Sequence, residues 1–401
     1  MACILVALGM MPLKGASAPA VSSARLRIAE QTGATAVSMI KAGDTLKPQT
    51  LLTRESFLNA ITVLQAIGGS TNAVVHLMAI VNRHPRVAGS ITLDTIDKIG
   101  RRTPLLVDLK PSGANYMTDF HNSGGMAALL RELRPLLHLD AMTVTGQTLG
   151  AVLDAEKAIP VPRELSCIAP LAEPLYPASS LVVLRGNLAP RGAVMKASAS
   201  KDRTLLSHSG PAVVFAGSAD LARKIDSEDL EVTPYSVLVL QNIGPVGNPG
   251  MPEAGLIPIP RKLAAKGVKD MLRVSDGRMS GTAGGTIVLH VAPEAADPDS
   301  ALGVVRDGDT ITVDIEQRIL RVEISDDEIA KRVRERKEEM ERLKNVDEEG
   351  KAEGEEAKEK KEDPWVARRK MRGYRGLYMR EVNQADKGAD FEFLTAEGPS
   401  S

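Results

Sequence analysis

From residue 170 onward the sequence is a succession of short apolar segments closed by turn residues, and no other feature limits the fold as tightly. Segments 181–184, 212–215, 236–240, 271–274 and 286–291 are rich in Val, Ile and Leu and too short for helices. Gly, Pro, Asn and Asp cluster between them, which reads as strands joined by turns. Segments 310–315 and 319–324 flank Glu316-Gln317-Arg318, a hairpin pattern. The even spacing predicts a barrel-like or sandwich-like β domain carrying one or two helices, at 219–225 and 260–266.

Upstream the period changes. Leu26, Ile28, Ala29, Val37 and Ile40 give one apolar stripe at helical spacing, and Phe57, Leu58, Ile61, Leu64 and Ile67 give another. Gly68-Gly69-Ser70-Thr71-Asn72 then breaks the pattern and opens a helix over 73–81, with Ser70 or Thr71 as N-cap. N–H groups at such a start can hold an anion, but no Lys-Ser/Thr follows, so a helix cap is the simpler reading. Segment 103–109 (TPLLVDL) reads as a buried strand, with helical units near 116–133 and 141–155. Helices alternating with apolar strands predict an α/β domain. Residues 2–13 are apolar, and Ala16-Ser17-Ala18 loosely resembles a signal cleavage site, yet no basic segment precedes it. The preferred reading is a core helix whose upstream part is missing from this sequence.

The expected division is an incomplete α/β domain over 1–168 and a β-barrel-like domain over 169–325. A charged helix and disordered insertion follow over 326–372, then a tail over 373–401 that packs back. Ser325-Asp326-Asp327-Glu328 is a capping-box signature, and the dense mixed charge beyond it predicts disorder from 347 to 363.

Composition removes several functions. The 401 residues carry a net charge of -1 with 3% aromatics, which argues against nucleic-acid binding. No run of ~20 apolar residues exists to span a membrane. The two cysteines, Cys3 and Cys167, cannot build a disulfide framework and point to a reducing, cytoplasmic setting. A mitochondrial location is the alternative if an N-terminal segment is missing. Two cysteines are also too few for an ordinary iron–sulfur cluster, which needs about four ligands. The six histidines lack metal-ligand spacing, and His290, inside an apolar segment, reads as a core residue.

Two loops carry the candidate chemistry. Residues 242–253 (NIGPVGNPGMPE) form a stiff Gly- and Pro-rich loop ending in one carboxylate, Glu253, a donor suited to a hard cation such as Mg²⁺. A surface turn ending in a solvated Glu is the competing reading. Residues 274–286 (VSDGRMSGTAGGT) place the hydroxyls of Ser280 and Thr282 on a glycine-rich turn beside Asp276 and Arg278. Its glycines let N–H groups approach an anion. A serine acts as a base only where its alkoxide is stabilised, because its hydroxyl pKa is otherwise far too high. A small-residue loop or phosphate nest competes with that role. HExxH, Walker and GxSxG patterns are absent.

At these loops the chain resembles the dihydroxy-acid and sugar-acid dehydratases, the IlvD/Edd family. The matching stretches are GGSTNAVVHLMAI (68–80), DLKPSG (108–113), DAMTVTGQTLG (140–150), LRGNLAPRGAVMK (184–196), GPVGNPGMPE (244–253), RVSDGRMSGTAGGT (273–286) and LHVAPEA (289–295), in family order. RMSGTAGGTIVLHVAPEAA, LVDLKPSG and the tail RGYRGLY…QADKGADFEFL are closer to the sugar-acid (aldonate) branch.

The resemblance implies a lyase that removes water from a 2,3-dihydroxy acid to give a 2-keto acid. In the family an iron–sulfur cluster, here expected as 2Fe–2S, assists departure of the 3-hydroxyl. Mg²⁺ holds the carboxylate end, a serine alkoxide takes the C2 proton, and the enol tautomerises. Carried over by motif, Ser280 is the base and Glu253 a Mg²⁺ ligand. Thr282 and Gly281 contact the substrate, while Asp276 and Arg278 brace the loop. The family's cluster cysteines, its Cys-Asp-Lys motif and its modified lysine would lie upstream of Met1, so the resemblance implies no iron–sulfur ligands in this chain and no activity from it alone. The expected partner is a small hydroxy acid, and the expected assembly a homodimer or tetramer. The alternatives are a dihydroxy-acid dehydratase of branched-chain amino-acid biosynthesis, a non-catalytic remnant that binds a partner, and a phosphosugar-binding protein.

Overall fold

A computed structural model describes residues 1–280, 284–348 and 370–396. Its contacts divide the chain into two units, Met1–Val182 with Lys196–Ala199, and Val183–Met195 with Ser200–Ser401. Helices and a closed barrel together make the fold mixed α/β.

The first unit holds α1 (Ala2–Ala7), α2 (Ser23–Ala42), α3 (Pro48–Leu51), α4 (Arg54–Ala66), α5 (Asn72–Arg83), α6 (Leu93–Gly100), α7 (Met117–Asn122), α8 (Gly125–Glu132) and α9 (Leu149–Ala155). Its centre is α4, buried from Ser56 to Ala66 and packed against α1 and α6. The Thr53 hydroxyl caps α4 by accepting from Ser56 N at 3.3 Å. At the start of α5 the Ser70 hydroxyl accepts from Asn72 N at 3.2 Å, the cap reading of that motif.

Three expectations for this unit are corrected. Segment 103–109 is buried but forms isolated bridges, Leu105 with Tyr176, Val107 with Ile168 and Leu109 with Asn115; among the described residues this unit contains no sheet ladder. The run is buried without a neighbouring strand to pair with along its length, and burial alone does not make a strand. The 116–133 helix is two, α7 and α8, interrupted at Ser123-Gly124. The stripe on α2 faces outward: none of that helix is buried, and Leu26 is 73% and Ile40 80% exposed.

In the second unit eight strands among the described residues close into a barrel. They are β1 (Val182–Gly186), β2 (Ala189–Met195), β3 (Ser207–Phe215), β4 (Val237–Leu240), β5 (Arg273–Ser275), β6 (Ile287–Ala292), β7 (Thr310–Asp314) and β8 (Ile319–Val322), in the order β1-β2-β6-β5-β4-β3-β7-β8. β3, β4, β5 and β6 run parallel in that succession, and β7–β8 is the expected hairpin. β4 and β6 are buried along their whole length, as parallel strands covered on both faces must be. The helices α10 (Ser218–Lys224) and α11 (Arg261–Ala264) contribute Leu221 and Leu263 to a core with Phe215, Leu238, Leu240, Ile257 and Met271. β2 is the strand that the pattern missed, because Pro190 and Gly192 disguise it.

The charged helix is α12 (Asp326–Glu348); most of the segment expected to be disordered, 349–363, lies outside the described residues. The tail folds back as α13 (Gly373–Glu381), whose Met379 packs with Val382, Val246 and Ala296. Arg191 and Asp386 add two hydrogen bonds of 3.0 and 2.8 Å between β2 and the tail. No described helix is long and apolar enough to cross a membrane.

Candidate active site

The two candidate loops are the connections that follow β4 and β5. Parallel neighbours need crossover links, so both loops must leave one end of the barrel and return toward the other. Their backbones meet on the way: Gly255 N donates to Arg278 O at 2.8 Å, and Arg278 Nε donates to Met251 O. Glu253 lies two positions before Gly255, and Ser280 two positions after Arg278. Both are exposed. The preceding residue, Met279, is buried against Ile287 and Leu289 of β6 and anchors the chain just before Ser280. Gly281 and Thr282 lie outside the described residues.

Beneath the loops sit two buried carboxylates, Asp276 and Glu294, each held by backbone N–H donors. Asp276 accepts from Ile243 N at 2.9 Å, Asn242 N at 3.1 Å and Ala295 N at 2.8 Å, so it braces both loops at their origin. Glu294 accepts from Val246 N at 3.0 Å and Gly247 N at 2.8 Å. Gln384 of the tail clamps Glu294 from behind, its amide N–H donating at 2.8 Å and its carbonyl accepting from Glu294 N at 2.7 Å. A Cβ at Gly244 would lie 2.8 Å from Glu294 Cβ, so glycine is required for this approach. Burial pushes Asp276 up to about 6 against the pull of its N–H donors. Burial, reinforced by the charge of Asp276, pushes Glu294 up to about 7. The tail also touches the loop through Tyr378, which packs against the cluster that holds Val246.

The residues present do not fit an iron–sulfur cluster. Cys3 is buried in α1, and Cys167 takes a 3.5 Å contact from the Ser123 hydroxyl. Burial pushes both thiols up, away from the thiolate that a metal needs. For Mg²⁺, Glu253 offers one carboxylate, and among the described residues no three His, Cys, Asp or Glu side chains converge on a common point. The described residues therefore do not complete a magnesium site.

With the geometry in view, comparison with known proteins decides the family. Models of the dihydroxy-acid/6-phosphogluconate dehydratase N-terminal and C-terminal domains match residues 1–152 and 166–389. The chain belongs to the dihydroxy-acid/6-phosphogluconate dehydratase family. An L-arabinonate dehydratase of Rhizobium leguminosarum bv. trifolii is 41% identical over 392 residues, 97% of this chain and 61% of the relative. An L-arabonate dehydratase of Azospirillum brasilense is 43% identical over 407 aligned positions, covering 100% and 64%. A dihydroxy-acid dehydratase of Sulfurisphaera tokodaii is 41% identical over 330, covering 81% and 56%. The chain thus spans about three fifths of the length of these relatives.

Sequence reasoning found both loops but missed Glu294 and Gln384. The LHVAPEA motif contained the first and the tail motif the second. Their spacing from the loop, 48 positions for Val246 with Glu294 and 90 for Glu294 with Gln384, left no local signal.

Proposed function

We propose that the chain serves a hydro-lyase reaction in which a 2,3-dihydroxy acid of the aldonate class loses water to become a 2-keto acid. Ser280, as its alkoxide, takes the C2 proton; the C3 hydroxyl leaves as hydroxide and recovers that proton from Ser280 to become water, and the enol tautomerises to the ketone. Glu253 would be one ligand of a Mg²⁺ that neutralises the carboxylate end of the substrate, and Gly281 and Thr282 would contact the substrate. The observation that carries the reading is the Gly255–Arg278 backbone bond, which joins the two loops bearing these groups in a chain of this family. Because the residues present do not fit the cluster or complete the magnesium site, no step is assigned to either. The protein is proposed to be cytoplasmic and to assemble as a homodimer or tetramer.

The test is keto-acid formation from L-arabinonate and from 2,3-dihydroxyisovalerate, with iron, sulfide and Mg²⁺ supplied. Turnover of the aldonate that falls at least about 10³-fold in Ser280→Ala supports the reading. Turnover of dihydroxyisovalerate alone moves the protein to the branched-chain alternative. The misfit of Cys3 and Cys167 favours one second reading, a non-catalytic member that binds a partner. A bound cluster with dehydratase turnover in the purified chain refutes that second reading.

A further inference from the structure

The far ends of the two loops are held by a buried ion pair that plays no part in the chemistry proposed above. Asp270 and Arg273 have side chains only 4% and 5% exposed and meet at 2.7 Å. Arg273 Nη1 donates to Ile257 O at 3.1 Å, just past the segment bearing Glu253. Asp270 accepts from Thr286 N at 2.9 Å and from the Thr286 hydroxyl at 2.7 Å, at the end of the segment bearing Ser280. Arg273 N in turn donates to Thr286 O at 3.1 Å. Gly285, at φ +105°, lies directly on the pair: a Cβ there would fall 2.0 Å from Arg273 Nη2 and 2.8 Å from Asp270 Oδ1. Only glycine permits that approach. The guanidinium suits the task because its rigid fork serves a carboxylate and a carbonyl at once, which a lysine cannot reproduce.

We infer that Asp270 and Arg273 are positioning residues that hold the Ser280 segment in register with the Glu253 segment. Asp276 fixes where the two segments begin, the Gly255–Arg278 bond joins them midway, and the ion pair fixes where they end. A side chain placed on such a link is set by the link's two ends, so releasing one end displaces it while the strands away from the β5–β6 edge, β7 and β8, keep their pairing. The activity arm of the test rests on the proposed dehydratase reading; the exchange arm does not.

The double variant Arg273→Met/Asp270→Asn avoids leaving one buried charge alone. Amide hydrogen exchange of the full chain at Thr286 and at 255–257 should accelerate about tenfold or more, while β7 and β8 keep their wild-type protection. Arg273→Lys should fall between the two. Unchanged exchange in both segments, or equal acceleration in every strand, overturns the inference. If the double variant does not fold, Thr286→Val deletes one donor to Asp270, and Ser200→Ala controls for the 2.6 Å Ser200–Thr286 hydrogen bond lost with it; faster exchange at 284–286 in Thr286→Val beyond that in Ser200→Ala supports the inference, and exchange no faster than in Ser200→Ala overturns it. With L-arabinonate as substrate, kcat of the double variant should drop about 100-fold with KM held within about threefold, the mark of misplaced groups rather than lost binding. Unchanged kcat also overturns the inference. A wild-type chain with no turnover defeats the proposed function instead, and the exchange pattern then decides this inference alone.

Discussion

Glu294→Gln isolates the cost of burying a charge beneath the candidate site. The wild-type carboxyl has an ordinary value of 4.5 and stands at about 7 in the fold. A group whose proton affinity rises on folding stabilises the native state at low pH and loses that contribution as pH climbs through the folded value. Each tenfold change in proton affinity is worth about 1.4 kcal/mol, so the wild-type loses up to about 3 kcal/mol from Glu294 between pH 4.5 and pH 8.5. Glutamine resembles the protonated acid in shape and keeps one acceptor for the loop N–H groups. The two proteins should match within about 1 kcal/mol at pH 5, and the variant should gain on the wild-type as pH rises. Asp276, which burial raises to about 6, adds a smaller slope of the same sign in both proteins. The assay is reversible urea unfolding from pH 5 to pH 8.5, compared as the difference between the proteins. A difference that stays constant over that range, or that moves in favour of the wild-type, refutes the reasoning.

Two further substitutions probe the barrel and its loop. Phe215→Ala empties a fully buried position in the cluster under α10 and α11 and should cost about 3–5 kcal/mol in urea unfolding. A loss below about 1 kcal/mol would show that the site collapses freely. Gly244→Ala drives a methyl group into Glu294, so it should destabilise by about 1–3 kcal/mol and weaken exchange protection at Val246 and Gly247. Wild-type protection there would mean that the loop has room the structure does not show.

The sequence by itself located most strands of the barrel, the two loops and the charged helix, because each leaves a local mark. A short apolar run between turn residues cannot be helical, and dense Gly and Pro cannot continue a strand. It misjudged segment 103–109 and the stripe on α2, because an apolar residue records its own affinity for burial and not what is available to cover it. It also missed β2, where Pro190 and Gly192 hide a strand whose pairing is made by distant partners.

The site divides the same way. Ser280 and Glu253 stand out from their loops and the family motifs, whereas Asp276, Glu294, Gln384, Asp270 and Arg273 acquire their meaning only from groups far along the chain. Tertiary structure alone decided the strand order, the meeting of Gly255 with Arg278, and the choice of carboxylates that hold the loops. The physical reason is that a buried carboxylate is satisfied by whichever N–H groups the fold delivers to it, and no local pattern of residues states which those will be.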